Sequence, residues 1–207
     1  MTRLHEISGP AGRLEALWEE PGQRRPIRAA VVFAHPHPLH GGTMHTKVVF
    51  RGAKTLASLG CAVLRFNFRG VGRSEGSFGA AEGEIEDFGA ALDVMATRYP
   101  GAELWTAGLS FGAYVSMVAG VADNRVTRLL GIAPPLQRYD FSMLVRSTKP
   151  KYFIQGERDE ICPLDDMKSF FESLSEPKQL IVVPGADHLF VGQLDDLTQA
   201  IETLFGR

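Results

Sequence analysis

Ser110 lies at the centre of the pentapeptide GLSFG (108–112), which has the pattern Gly-x-Ser-x-Gly. An apolar run over 103–109 precedes it and a helical pattern over 111–122 follows it, so the spacing predicts a sharp strand-to-helix turn. A serine oxygen is a weak nucleophile unless it is exposed, deprotonated on demand and close to donors for a developing oxyanion. The Phe111 N–H, at the start of the helix, is a candidate donor. The pattern therefore predicts nucleophilic catalysis by Ser110.

A serine nucleophile also needs a general base and an acid that orients the base. His188, in PGADHLF after the last predicted strand, is the one histidine downstream of Ser110, and we predict that it is the base. The segment GERDEICP follows the strand predicted over 151–156. Asp159 is the preferred acid because it comes late enough in this turn to point back over the sheet edge. Asp140, after the preceding strand, remains the alternative.

Four of the six histidines fall within AHPHPLHGGTMH (34–45). Clustered imidazoles can bind zinc, but a tetrahedral site needs three or four converging ligands. The spacing His35-x-His37-x-x-His40 resembles the HxHxDH run of metallo-β-lactamases, except that Leu39 occupies the Asp position and few distal ligands follow. We therefore predict no metal site, and a zinc-dependent hydrolase is a less favoured alternative.

Composition and charge favour an enzyme that acts on a small molecule. The length of 207 residues predicts one domain over 1–207. The net charge of −2 offers no basic surface for nucleic acid or an anionic membrane. No window approaches 18 apolar residues, so no membrane span is expected. Two widely spaced cysteines and the lack of a signal-peptide pattern favour a cytoplasmic protein. No cofactor is expected, and the chain is predicted to be a monomer or homodimer.

Short apolar runs alternate with helical patterns after an N-terminal hairpin formed by RLHEI and GRLEALWEE. Strands are predicted over 29–35, 61–68, 103–109, 126–132, 151–156 and 178–185, and helices over 47–60, 83–100, 111–122, 163–174 and 194–206. This alternation predicts an α/β fold, with a mostly parallel twisted sheet and helices on both faces. Ligands of such sheets bind at the carboxyl ends of the strands, where the candidate residues are expected to meet.

Together these motifs resemble the α/β-hydrolase superfamily over essentially the whole chain. The matching segments are GLSFG, GERDEICP with Asp159, GADHLF with His188, and NFRGVGRSEG (67–76). The last is similar to the family's Asp-x-Arg-Gly-x-Gly-x-Ser run but has Asn67 in place of Asp. With HPHPLHGGTMHTKVV it resembles a group of small bacterial α/β-hydrolases without a lid. The resemblance implies no cap domain, and the 18 residues of 133–150 leave room only for a loop and one helix.

The resemblance also implies that the loop after the third strand supplies the second oxyanion donor. Alignment with the family's His-Gly-x run assigns this donor to the His37 backbone N–H, alongside that of Phe111, with Leu39 as the alternative. Pro36 and Pro38 cannot donate because proline has no amide hydrogen.

Four residues are expected to contact the substrate in an open site: Leu39, Pro135, Leu136 and Tyr139. The His35 ring is expected to brace the oxyanion loop by hydrogen bonding.

The predicted activity is cleavage of carboxylic esters of small or flexible acyl substrates, through a Ser-His-Asp triad and an acyl-enzyme intermediate. Thioesterase, amidase or acyltransferase activity with the same triad is the alternative. A non-catalytic binding protein is less favoured, because such proteins have usually lost one member of the triad.

Overall fold

A computed structural model describes residues 4–22 and 26–206 of the chain. Within these ranges the chain forms eight strands and five α-helices. The strands are β1 (Leu4–Gly9), β2 (Gly12–Glu19), β3 (Ala29–Ala34), β4 (Cys61–Phe66), β5 (Glu103–Leu109), β6 (Val126–Ile132), β7 (Lys151–Gly156) and β8 (Lys178–Val183). The helices are α1 (Lys47–Ser58), α2 (Glu82–Arg98), α3 (Phe111–Ala122), α4 (Leu164–Ser173) and α5 (Leu194–Phe205).

All eight strands belong to one sheet, in the order β1-β2-β4-β3-β5-β6-β7-β8. The hairpin β1–β2 is antiparallel, and β2 pairs antiparallel with β4. Every other neighbouring pair in the sheet is parallel. The predicted fold class, a mostly parallel sheet with an N-terminal antiparallel hairpin, is confirmed.

Helices cover both faces of this sheet, as the continuous apolar runs predict. Every residue of β3 and β4 is buried, which is typical of strands covered on both sides. One apolar cluster includes Phe88 of α2 and Val115 of α3. The other includes Leu56 of α1 and Ile201 of α5, on the opposite face. None of the helices in the described part of the chain is both long and apolar enough to cross a membrane.

The observed ends of the elements differ from the predicted ones by a few residues, for local reasons. Helix α2 ends at Arg98 rather than at Pro100, because the residue before a proline avoids the helical conformation. Helix α1 ends just before Gly60, whose φ of 92° needs a residue without a Cβ.

The carboxyl ends of the parallel strands meet at one edge of the sheet, where the loops that carry the candidate residues lie side by side. Ala34 of β3 pairs with Gly108 of β5, and Gly156 of β7 pairs with Val183 of β8. Residues 133–150 form a loop with one short 3-10 helix, Ser142–Leu144. The expected absence of a cap domain between β6 and β7 is therefore confirmed for this fully described segment.

Candidate active site

Ser110 occupies the predicted sharp turn between β5 and α3. Its φ of 54° and ψ of −121° are unusual for a residue with a side chain and cost about 1–3 kcal/mol. Three backbone hydrogen bonds hold it there: its N–H donates to the Ile132 carbonyl at 2.9 Å, and its carbonyl accepts from the N–H groups of Ala113 at 2.8 Å and Tyr114 at 3.3 Å. The rigid sheet and helix on either side therefore maintain the strained conformation.

Gly108 and Gly112 are required by the close approach of backbone segments around this turn. A Cβ on Gly108 would lie 2.1 Å from the Gly112 carbonyl oxygen. A Cβ on Gly112 would lie 2.5 Å from the His35 carbonyl oxygen and 2.6 Å from that of Ala34. The two glycines of the GLSFG pattern thus let α3 begin directly against the end of β3.

Three side chains from different loops form a continuous row of hydrogen bonds. The distance from Ser110 Oγ to His188 Nε2 is 2.9 Å, and from His188 Nδ1 to Asp159 Oδ2 it is 2.8 Å. Because an ionised carboxylate only accepts hydrogen bonds, Nδ1 carries the imidazole proton, and Nε2 is left to accept from the Ser110 hydroxyl. The structure thus brings together the three residues that the sequence singles out.

The Asp159 carboxylate is buried and receives hydrogen bonds on both oxygens. Oδ1 accepts from the backbone N–H groups of Ile161 and Cys162, each at 2.9 Å. Oδ2 accepts from Gln155 Nε2 at 2.9 Å in addition to His188. These four hydrogen bonds fix the position of the carboxylate oxygens.

Asp140, the alternative acid, lies elsewhere. Its carboxylate is exposed and accepts hydrogen bonds from the N–H and hydroxyl of Ser142, at 2.8 and 2.9 Å. These bonds lower the pKa of Asp140, the backbone bond having the larger effect. Asp140 therefore binds within its own loop, whereas Asp159 forms the hydrogen bond to His188.

Gln155 is a member of this site that sequence reasoning missed. It is fully buried in β7, and Nε2 donates to Asp159 Oδ2 and to the Cys162 carbonyl, the latter at 2.8 Å. The side chain thus ties together the two ends of the loop that carries the acid. The only available signal was a polar residue at the end of the apolar run KYFIQG, just before the acidic turn.

The His35 ring braces the loop after β3, as expected. Its Nε2 accepts a hydrogen bond from the Phe68 N–H at 3.1 Å, and Nδ1 lies 2.7 Å from the Pro36 carbonyl oxygen. Burial lowers the pKa of His35 to about 4, so the ring is neutral at pH 7 and Nδ1–H donates to Pro36. The ring therefore links this loop to the segment that follows β4.

The same loop leaves one backbone N–H available beside Ser110. The His37 carbonyl accepts from the N–H groups of His40 and Gly42, each at 3.1 Å, while the Leu39 N–H donates to His37 Nδ1 at 3.2 Å. In the described part of the chain, the N–H groups of His37 and Phe111 donate to no protein atom. Between the two candidate donors of this loop, His37 is thus the one that is free.

Ser110 and His188 open into a cavity of about 380 Å³. Its wall contains Pro36, His37, His40, Gly41, Gly42, Thr46, Phe111, Pro135, Arg138, Tyr139, Ile161 and Leu189.

Of the four residues expected to contact the substrate, Pro135 and Tyr139 belong to this wall, but Leu39 and Leu136 do not. Leu39 is 68% exposed, whereas Leu136 packs on the core beneath the loop. The reason is local geometry: Leu39 lies in a short 3-10 helix, Pro38–His40, that turns its side chain to solvent.

Two of the four histidine rings in the loop after β3 form hydrogen bonds within the protein. Both ring nitrogens of His35 have protein partners, and Nδ1 of His37 has one. Across residues 4–22 and 26–206, no three His, Cys, Asp or Glu side chains are grouped so that they could hold a metal ion.

The chain matches a family model and closely similar solved structures. The model Hydrolase_4, described as serine aminopeptidase, S33, matches residues 25–148. The structure of an α/β serine hydrolase homologue from Coxiella burnetii is 38% identical in sequence, with a TM-score of 0.92, and the match covers 99% of this chain and 98% of that one. The crystal structure of an α/β serine hydrolase without lid from Xanthomonas campestris is 36% identical, with a TM-score of 0.90, and the match covers 98% of this chain and 92% of that one.

An uncharacterized protein of Rickettsia prowazekii (strain Madrid E) is 36% identical over 204 residues, which are 94% of this chain and 85% of that protein. The resemblance to α/β-hydrolases without a lid is thereby confirmed. From the family match, the fold and the similarity to these serine hydrolases, we conclude that the chain belongs to the Hydrolase_4 family of α/β serine hydrolases.

Proposed function

We propose that the chain hydrolyses carboxylic esters with Ser110 as nucleophile, His188 as general base and Asp159 as the acid that orients His188. The observation that carries the proposal is the row of hydrogen bonds from Ser110 Oγ through His188 to Asp159, with steps of 2.9 and 2.8 Å, at the wall of an open cavity. Nucleophile, base and orienting group within hydrogen-bond reach are the arrangement that activates a serine.

In the first step His188 Nε2 takes the proton of the Ser110 hydroxyl as Oγ forms a bond to the ester carbonyl carbon. The carbonyl π electrons move to the oxygen, and the backbone N–H groups of Phe111 and His37 donate to this oxyanion. Neither N–H has a partner among the described residues, which supports this role. Asp159 stabilises the imidazolium that forms.

The tetrahedral intermediate then expels the alcohol, which takes the proton from His188 Nε2, and an acyl-Ser110 ester remains. Water enters the open cavity, gives a proton to Nε2 and attacks the acyl carbon. Collapse of the second intermediate releases the carboxylic acid and returns the proton to Ser110 Oγ.

An ester substrate fits the cavity better than the amino-terminal peptide substrate that the family's description suggests. An aminopeptidase must bind the substrate's ammonium group, for which a carboxylate is the natural partner. Among the residues that the structure describes, those that line this cavity include no Asp or Glu.

The test compares wild type with Ser110→Ala in hydrolysis of p-nitrophenyl butyrate. We expect kcat/KM to fall at least about 10³-fold, since the nucleophile carries most of the rate enhancement in such sites. A fluorophosphonate should label wild type on the peptide that contains Ser110. Parallel assays with butyryl-CoA and butyryl p-nitroanilide compare ester with thioester and amide, and added EDTA should leave the rate unchanged.

Ser173→Ala is the matched control, because Ser173 is exposed at the end of α4, where it donates to the Phe170 carbonyl. This variant should retain wild-type activity and labelling. Ester hydrolysis by Ser110→Ala at the wild-type rate would overturn the proposal.

A further inference from the structure

Arg138 brings an unpaired positive charge to the cavity. It follows β6, and its N–H donates to the Pro135 carbonyl at 3.0 Å, which holds it in the cavity wall. Seven other arginines form ion pairs with Asp or Glu: Arg13, Arg51, Arg65, Arg69, Arg98, Arg125 and Arg128. Among the described residues Arg28, Arg73, Arg146 and Arg158 form none, but these four lie outside the cavity wall, whereas the exposed Arg138 belongs to it. Within the described part of the chain, the Arg138 guanidinium forms neither an ion pair nor a side-chain hydrogen bond.

Three acids around Arg138, in its own loop or in the segment 159–166, have other hydrogen-bond partners. Asp140 accepts from the N–H and hydroxyl of Ser142. Asp166, at the start of α4, accepts from Gln137 Nε2 at 2.6 Å. Asp159, the acid behind the cavity, is occupied by His188 and three further donors. No carboxylate of the cavity wall therefore neutralises Arg138.

The positive charge also acts on the rest of the cavity. The pKa of His37 is lowered, mainly by burial and further by the charges of His40 and Arg138. Arg138 and His37 both belong to the wall of this cavity. The other side chains of the wall are largely apolar, including Phe111, Tyr139 and Ile161.

We propose that the preferred substrates are anionic esters, in which a short apolar spacer separates the scissile carbonyl from a second, negatively charged group that Arg138 binds. A guanidinium presents paired donors that match the oxygens of a carboxylate. The apolar wall accommodates the spacer between Ser110 and Arg138. This inference rests on the proposed esterase function, whose site it extends to a substrate class.

The test uses matched pairs of esters that differ in charge. The first pair, mono(4-nitrophenyl) adipate and 4-nitrophenyl hexanoate, has the charge on the acyl side. The second, 4-acetoxybenzoate and its methyl ester, has it on the alcohol side. The measured quantity is the preference ratio, kcat/KM for the anionic ester over kcat/KM for the neutral one. The pair with the larger ratio identifies the side of the scissile bond that faces Arg138.

In Arg138→Gln we expect the preference ratio for that pair to fall about fivefold. A loss of this size lies between the small effect of removing an exposed ion pair and the larger effect of removing a buried hydrogen bond to a charged group. The fall in the ratio should come mainly from a loss of kcat/KM for the anionic ester. Arg138→Lys should recover part of the preference. Arg146→Gln is the matched control, since Arg146 is an exposed arginine of the same loop outside the cavity wall, and it should keep the wild-type ratio.

A ratio that stays the same in Arg138→Gln overturns the inference, even when hydrolysis depends fully on Ser110. Because both esters are assayed on one preparation, partial misfolding cancels in the ratio. Binding of monomethyl adipate and dimethyl adipate to Ser110→Ala, with Arg138 or Gln at position 138, measures the same preference without turnover. Hydrolysis that persists in Ser110→Ala refutes the proposed function instead, so the two failures are distinguishable.

Discussion

Replacing Asp159 by asparagine should disturb the orientation and tautomer of His188 while leaving Ser110 in place. Four donors point at the Asp159 carboxylate, namely His188 Nδ1, Gln155 Nε2 and the N–H groups of Ile161 and Cys162. An asparagine offers one oxygen and one NH2 group. If the oxygen keeps the two backbone N–H groups, the NH2 group faces His188, whose proton must then move to Nε2.

A histidine protonated on Nε2 cannot accept the Ser110 proton. The same change in a serine protease triad lowers kcat by about 10⁴-fold. At about 1.36 kcal/mol per tenfold change in rate, this is a loss of about 5.5 kcal/mol in transition-state stabilisation. The unmatched donor at Gln155 should lower the free energy of unfolding by about 1–3 kcal/mol. For a chain of this size each 1 kcal/mol lowers Tm by about 2–4 °C, so the variant should remain folded at 25 °C.

The assay is p-nitrophenyl butyrate hydrolysis at 25 °C with circular dichroism and Tm as controls for folding. Asp140→Asn is the matched control, because within the described residues this exposed carboxylate has Ser142 of its own loop as its one hydrogen-bond partner. We expect Asp140→Asn to stay within twofold of wild type. An Asp159→Asn enzyme within tenfold of wild type, or a large loss in Asp140→Asn, would refute the assignment of the acid.

Two further predictions concern the frame of the site. Gly112→Ala should lower the free energy of unfolding, measured in urea, by about 1–3 kcal/mol or more, because the new Cβ would lie 2.5 Å from the His35 carbonyl oxygen. Gly89→Ala is the control: nothing lies within 4 Å of the added Cβ, so this variant should be more stable than wild type by about 0.5–1 kcal/mol. Equal effects of the two substitutions would contradict this reasoning. The pKa of His35 is about 4 in the folded chain, against an ordinary value of 6.5, so the unfolded chain binds this proton more readily. Lowering the pH from 7 to 5 should therefore reduce the contribution of His35 to the free energy of unfolding by about 2 kcal/mol. His35→Gln, whose amide can accept from the Phe68 N–H and donate to the Pro36 carbonyl, should remove this part of the pH dependence, and an unchanged dependence would argue against a neutral buried ring.

Much of the fold could be predicted because it depends on local patterns. Continuous apolar runs predicted the buried strands β3 and β4. The alternation of such runs with helical patterns predicted that most strands of the sheet are parallel. Ser110 was predictable because its turn requires glycines at fixed positions on either side. His188 followed from its position after the last strand. Each of these signals depends on residue types and their order along the chain, so tertiary structure is not needed to detect it.

The substrate cavity was predicted less well, because its wall is assembled from loops that are distant in the sequence. Leu39 and Leu136 are apolar residues in the expected loops, but one faces solvent and the other packs on the core. Arg138 and Ile161 both line the cavity although 23 positions separate them in the sequence. Nothing in the local pattern of either loop indicates which side chains turn inward.

The sequence by itself determined the fold class, the strained serine turn and the set of groups from which a nucleophile, base and acid could be drawn. Only the tertiary structure decided that Asp159 rather than Asp140 reaches His188, that Gln155 supports this acid, and that the N–H of His37 rather than of Leu39 is free. The reason is physical: each choice depends on hydrogen bonds a few ångströms long between different loops. Sequence spacing does not encode such distances until the sheet brings the loops together.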